Sequence, residues 1–388
     1  TGLLSEKVHA DIRVSRVQFP SGPPTPKLSQ IEKEGLCMID WSKILKESPI
    51  DWLLEETNPS VCYFTLRDIF GKSENDPRVT VAKQVIPESP LVKKILQKQN
   101  PEGYWEEPAS PYHPKYKSSY WQIMTLGQLG IDRNDERVKK ACECIFQFQL
   151  EGGGFSSYTL KEALKEYDLL REKGKKLPSL RQWASSLVFE HQYSCLTGNM
   201  TAALIRIGYA NDPRVEKALE WLVKIQNKDG GWLCPYWKAH VKDKHGCFYG
   251  TICPLEAFSE VKKENLTKEM KETIEKGAEF LLMHRLFKAD HHSYKVINQS
   301  WLKLSFPWFY GYNILRGLDV LTKLGYVKDE RLNDAVEILL QKRQSNGTWI
   351  LESAPIGRMQ TNIEAKGKPS KWITLIALRV LKRLGKER

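Results

Sequence analysis

Several features are missing from this 388-residue sequence, and each absence removes a class of function. No apolar run approaches the ~20 residues that a membrane-spanning helix needs. Neither Gly-x-x-x-x-Gly-Lys-Ser/Thr nor Gly-x-Gly-x-x-Gly occurs, so nucleotide-dependent chemistry has no sequence support. The eight cysteines are irregularly spaced and form no paired CxxC pattern and no compact disulfide framework, which points to a reducing cytoplasm. The formal charge is +12. Its lysines are spread over stretches such as KKENLTKEMKETIEK, which read as solvated helix faces, so no nucleic-acid partner is expected. Hydrophobic residues make up 41%, ample for a core.

What is present is a repeat. Cys195-Leu-Thr-Gly198 leads into Met200, Ala203, Leu204 and Ile207, a helical stripe that stops at Gly208. Asn211-Asp212-Pro213 restarts the chain, with Asp placed to cap and Pro at the first helical position. A second helix carries Val215, Ala218, Leu219, Leu222 and Val223. It runs into Asn227-Lys-Asp-Gly-Gly231 and then Trp232. The same unit recurs from Tyr116 to Phe155 and from Trp308 to Trp349, with a weaker copy from Cys247 to FLLMHRLF. Half copies end at Trp105 and close the chain. One such hairpin cannot bury its apolar face alone, so the copies must stack. The segments after Cys195, Cys247 and Trp308 are expected to be inner helices, apolar on nearly all sides. Those after Asp212 and Asp329 are expected to be outer helices, apolar on one face.

Each unit closes on a motif that reads QNPEGYW, QLEGGGF, QNKDGGW and, degenerate, RQSNGTW. This Gln-x-x-x-Gly-x-Trp pattern resembles the repeat of squalene and hopene cyclases, over roughly residues 90 to 385. The resemblance implies an all-α fold, an α/α toroid of inner and outer helices, which also builds the β subunits of protein prenyltransferases. Residues 91–388 would form the toroid, with 158–190 inserted as either a solvated excursion or a lid. Residues 38–90 would supply N-terminal helices. Residues 1–37, rich in Pro and Ser and without helical periodicity, read as an extension upstream of a natural start at Met38. They hold no apolar segment of the kind a secretory signal carries. The motif Gln and Trp side chains are expected to knit helices to turns, not to do chemistry.

The resemblance also sets chemical expectations. A cyclase of this kind protonates an alkene or epoxide with an acid from an Asp-x-Asp-Asp motif, and no such motif occurs here; Asp290 stands alone. Aromatic residues at the repeat starts, Tyr116, Tyr120, Phe248, Tyr249, Trp308 and Tyr310, are placed either to line one mouth of a central cavity or to pack its narrow end. Prenyltransferase β subunits hold zinc with Asp-x-Cys and a later His. Here His245-Gly246-Cys247 stands where Asp-x-Cys would, Tyr310 stands where the His would, and a partner subunit would be needed. From position alone, Cys195 and Cys247 share a Cys-x-x-Gly setting in adjacent repeats, and Cys234 lies in the loop between them. Cys195, Cys234, His245 and Cys247 therefore form a candidate tetrahedral zinc set, with small buried cysteines as the alternative. The functional expectation is an isoprenoid- or lipid-acting enzyme with a hydrophobic substrate, with peripheral membrane contact left open. The competing reading is a binder of a lipid or peptide in the same cavity.

Overall fold

The structure, a computed structural model, describes residues 43, 44, 48–233, 244–291 and 293–386, all within the unit Met38–Arg388. Its helices, in chain order, are α1 Ile50–Leu53, α2 Pro59–Phe64, α3 Pro77–Gln84, α4 Pro90–Leu96, α5 Ser119–Gln128, α6 Glu136–Phe146, α7 Leu160–Glu172, α8 Leu180–Glu190 and α9 Ser194–Leu204. They continue with α10 Pro213–Lys224, α11 Phe248–Glu260, α12 Lys268–Met283, α13 Ile314–Leu324, α14 Asn333–Gln341 and α15 Lys371–Lys386. A π-helical turn extends α2 through Thr65–Ile69, and another extends α9 through Ile205–Tyr209. The antiparallel strands among the described residues, Trp349–Ile350 and Pro369–Ser370, are two residues each and make no core.

Burial separates two layers. All eleven residues of α9 are buried, as are nine of ten in α5. By contrast α10 buries only Val215, Ala218, Leu219 and Leu222, one stripe of a twelve-residue helix. The inner layer is therefore α2, α5, α9, α11, α13 and α15, and the outer layer includes α6, α10, α12 and α14. The inner helices pack in sequence, and α15 returns to α2, where Arg379 reaches Asp68 and Trp372 meets the Phe64 ring at 5.9 Å. Phe64 in turn lies against Gly130 at the end of α5, which closes the ring. This is the α/α toroid.

The repeat motifs are the joints. Gln99, Gln149 and Gln226 each donate from Nε2 to the carbonyl of the turn glycine four residues on. Each also donates to a carbonyl of the next outer helix, on Arg137, Arg214 and Thr273. Trp105, Trp232 and Trp349 are fully buried, and each indole donates to the outer helix it follows, at Ile95, Leu222 and Leu339. Burial of such a ring stabilises by roughly 2–3 kcal/mol. Their backbone N–H groups, and that of Phe155, donate to hydroxyls on inner helices: Ser119, Thr197, Thr251 and Thr374. One motif escaped the sequence reading. Asp135, Asp212 and Asp329 each cap an outer element, and the Arg two residues later folds back onto the same carboxylate. Arg214 and Arg331 also reach Glu143 and Glu279 of the preceding outer helix.

Candidate functional site

Because the inner helices run parallel, their C-terminal ends meet at one mouth. There they enclose a cavity of about 630 Å³. One part of its wall is aromatic and aliphatic: Tyr63, Phe64, Phe306, Trp308, Trp372 and Ile376. The rest carries seven basic and five acidic side chains. Several of these, Arg206, Glu260, Asp319 and Lys323, come from inner helices or their ends that are otherwise apolar, as do Glu256 and Arg316 outside the lining, and a charge in such a helix is the sequence signal that would have found them.

They form two ion-pair chains. In the first, Arg206 bonds Glu256 at 2.5 Å and Glu260 at 2.7 Å, Lys323 bonds Glu260 at 2.5 Å, and fully buried Arg316 bonds Glu256 at 2.5 Å. In the second, Arg379 joins Asp319 at 2.8 Å to Asp68 at 3.0 Å, Arg383 adds to Asp319 at 2.8 Å, and Arg67 adds to Asp68 at 2.7 Å. Burial by itself would raise these carboxyls, but the facing cations outweigh it. Arg67 and Arg379 bring Asp68 down to about 2. Arg206 and Lys323 hold Glu260 far below its usual range, and Arg379 and Arg383 hold Asp319 low. All three are ionised at neutral pH, so none is a proton donor. Burial likewise lowers the Lys323 ammonium, with Glu260 opposing.

Arg316, on α13, also bridges to α11 through Glu256 and to α9 through Asn199. Its guanidinium donates to Asn199 Oδ1 and to the carbonyls of Phe309 and Gly311. An aromatic cluster lies near the N-terminal end of α5. There Trp121 packs against Tyr116 at 4.7 Å, Phe309 at 5.1 Å and Tyr310 at 5.4 Å. The six aromatic candidates therefore do not share one mouth. Tyr116 and Tyr310 belong to that cluster, and Trp308 lines the charged cavity. Tyr120 is buried against Phe155. Phe248 packs among Phe280, His284, Trp301 and Tyr312, and Tyr249 accepts a hydrogen bond from Trp301. Centroid separations near 5 Å are those of packed rings. Asp290, solitary in sequence, lies 3.4 Å from His284 and 3.2 Å from His291.

The zinc set loses its positional motive. The hydroxyls that receive the repeat-closing N–H groups fix the true register, in which Thr197 corresponds to Thr251. Cys195 then matches Tyr249, and Cys247 matches Tyr193, so the two cysteines are not equivalent. Cys247 Sγ accepts from the Gly250 N–H, and His245 donates from Nδ1 to the Gly246 carbonyl. Cys234 lies outside the described residues. Among the described residues no three His, Cys, Asp or Glu side chains gather closely enough to hold a metal.

No family model matches the chain. Lanosterol synthase erg7A of Aspergillus fumigatus is 23% identical over 242 residues, 56% of this chain. Over that stretch the chain is similar to a terpenoid cyclase. That stretch is only 28% of the lanosterol synthase's length. Among solved structures, the type II terpene cyclase MstE from Scytonema superposes with a TM-score of 0.42 at 15% identity, covering 85% of this chain and 87% of that one. A protein from Actinoplanes gives 0.43 at 13% identity, over 89% and 99%. These superpositions are too loose to carry an argument. Among the described residues, no helix is long and apolar enough to cross a membrane.

Proposed function

We propose that this chain binds an isoprenoid-type amphiphile in the charged cavity, with the hydrocarbon against the aromatic wall and the polar head at the ion-paired rim. The observation that carries this reading is the lining itself: Phe64, Phe306, Trp308 and Trp372 face two ion-pair chains across one space of about 630 Å³. That volume falls within the ~300–1,000 Å³ of small-molecule sites. The sequence likeness to a lanosterol synthase supports an isoprenoid over other amphiphiles. Acid-initiated cyclisation gains nothing from Asp68, Glu260 or Asp319, each ionised by its partners. The step that the lining supports is capture and orientation of the ligand.

Titration of the full chain with geranylgeraniol and with geranylgeranoic acid, followed by tryptophan fluorescence, tests this. Both should quench, and Trp308→Ala should weaken binding about tenfold, the loss expected when ~1.4 kcal/mol of aromatic contact is removed. Unchanged affinity in Trp308→Ala would place the ligand elsewhere. A cyclised product, detected by mass spectrometry after incubation, would overturn the assignment to binding alone. Zinc at Cys195, Cys234, His245 and Cys247 is a separate proposal that the described residues do not favour, tested by elemental analysis: metal present in the wild type and lost in Cys247→Ser would establish it.

A further inference from the structure

A second space opens beside the charged cavity, at the C-terminal ends of α11 and α13. It measures about 790 Å³, again the size of a small-molecule site. Helix α11 stops at Glu260, and the chain runs extended through Val261 and Lys262 before α12 begins at Lys268, which leaves the gap between the helix ends open. Five residues line both spaces: Arg67, Glu74, Glu260, Lys262 and Lys323. The two therefore adjoin along a charged neck. The insertion at 158–190, a hairpin of α7 and α8, lines neither. It joins the body near the N-terminal ends of α5 and α9, where Thr159 donates to the Ala109 carbonyl and the Ser156 hydroxyl to the Val188 carbonyl.

Beyond the neck the floor of the second chamber is apolar. Val261, Leu266, Leu324 and Tyr326 are half-buried there, and Phe258 and Ile274 are buried. Its rim is basic. Lys323 is committed to Glu260, and Glu74 to the Tyr63 hydroxyl and to Arg67. Lys262, Lys263 and Lys271 remain, all exposed, with Glu275 as the one other acid of the lining. None of these three lysines has an ion-pair partner among the described residues.

We infer, given the isoprenoid ligand proposed for the charged cavity, that the second chamber takes an acidic extension of its head: an acyl arm joined by an ester and ending in a free carboxylate. An ester is polar but uncharged. It suits a neck whose charges already pair with one another, because it asks for hydrogen bonds and brings no charge to neutralise. The methylenes of the arm cover the apolar floor, and the carboxylate meets the three lysines. A wholly apolar arm would leave those cations without a partner, and an anionic head with no arm would leave Leu266 and Leu324 in water.

Tryptophan-fluorescence titration of the full chain with three probes tests this: geranylgeraniol, its octanoate ester, and its monoester with octanedioic acid. The monoester should bind at least about tenfold tighter than geranylgeraniol, through the covered arm and the charge pairs together. The octanoate should gain less than about threefold, since ordering the arm offsets much of its burial. Lys263→Glu/Lys271→Glu should remove most of the monoester's gain, and Leu266→Asp should do the same. These three residues line only the second chamber, so geranylgeraniol should keep its affinity in both variants. Both lysines are exposed and Leu266 lies in the α11–α12 connection, so both variants should keep the wild-type circular dichroism spectrum. Three results would each overturn the extension while geranylgeraniol binding, weakened in Trp308→Ala, still stands: a monoester no tighter than geranylgeraniol, an octanoate as tight as the monoester, or a gain that survives in the lysine variant. Monoester binding that Trp308→Ala leaves unchanged, or no binding of any probe, would overturn the isoprenoid assignment and the extension together.

Discussion

Glu256 receives Arg206 on one oxygen and Arg316 on the other, inside a helix that is otherwise apolar. Replacing it with Gln keeps the shape and removes the charge that both guanidinium groups face. Breaking a buried pair from one side costs about 3–5 kcal/mol, because the partner charge stays buried and uncompensated. Glu256→Gln should lower the urea unfolding free energy by that order, whereas the exposed pair Lys139–Glu136 should cost less than about 1 kcal/mol when broken. Equal small losses at both sites would show that the inner charges are solvated. At this scale the sequence was only partly legible. Cys195 and Cys247 looked equivalent because each stands three residues before a glycine. The hydrogen bonds that align the repeats run through Thr197 and Thr251, and a hydroxyl among apolar residues gives no periodic signal. Likewise Arg316 and Glu256 are far apart in sequence, and nothing local says that they meet.

The joint between neighbouring units depends on a glycine at each turn. Gly230 has φ +87°, and a Cβ there would sit 2.4 Å from the Lys276 carbonyl of the next outer helix. Gly153 repeats this against Lys217 at 2.2 Å, with φ +101°. The substitution Gly230→Ala therefore meets both backbone strain and a clash with backbone, which cannot rotate away. It should destabilise by about 2–4 kcal/mol, while Gly174→Ala, at the open hairpin tip with φ +69° and no neighbour within 4 Å, should cost only about 1 kcal/mol. Thermal unfolding of the two variants separates them, and similar losses would mean that strain alone matters. This level was the most legible in the sequence. Gln-x-x-x-Gly-x-Trp marks a fixed distance between a side-chain donor, a left-handed turn and a buried ring, so its recurrence gave the hairpin units, their inner and outer layers and the toroid. The Asp-x-Arg clamps at Asp135, Asp212 and Asp329 recur just as regularly, and read as simple helix caps without their cross-helix partners.

For the whole molecule, the second ion-pair chain ties the ends of the ring together: Asp68 follows the first inner helix, Arg379 lies on the last, and Lys382 donates to the Asp68 and Ile69 carbonyls. Closure of the toroid is thereby linked to pH. The carboxyl of Asp68 is lowered to about 2 in the folded chain, against about 3.9 when unfolded. A depressed carboxyl contributes stability that is fully present above its unfolded value and is lost as pH falls through the folded one. Glu256, Glu260 and Asp319 shift in the same direction, so their contributions add in sign. The urea midpoint should stay nearly level from about pH 7 to 5 and fall steeply between about pH 4 and 2, with Asp68 alone accounting for roughly 2 kcal/mol. Over that range the slope of stability against pH counts the extra protons bound by the unfolded chain. Asp68→Asn should lower this count by about one. The loss should persist at high salt, since buried pairs are screened far less than surface ones. An unchanged slope in Asp68→Asn, or a slope that salt abolishes, would mean that Asp68 is open to solvent and that the ring is held shut by the packing of Phe64 on Trp372 instead.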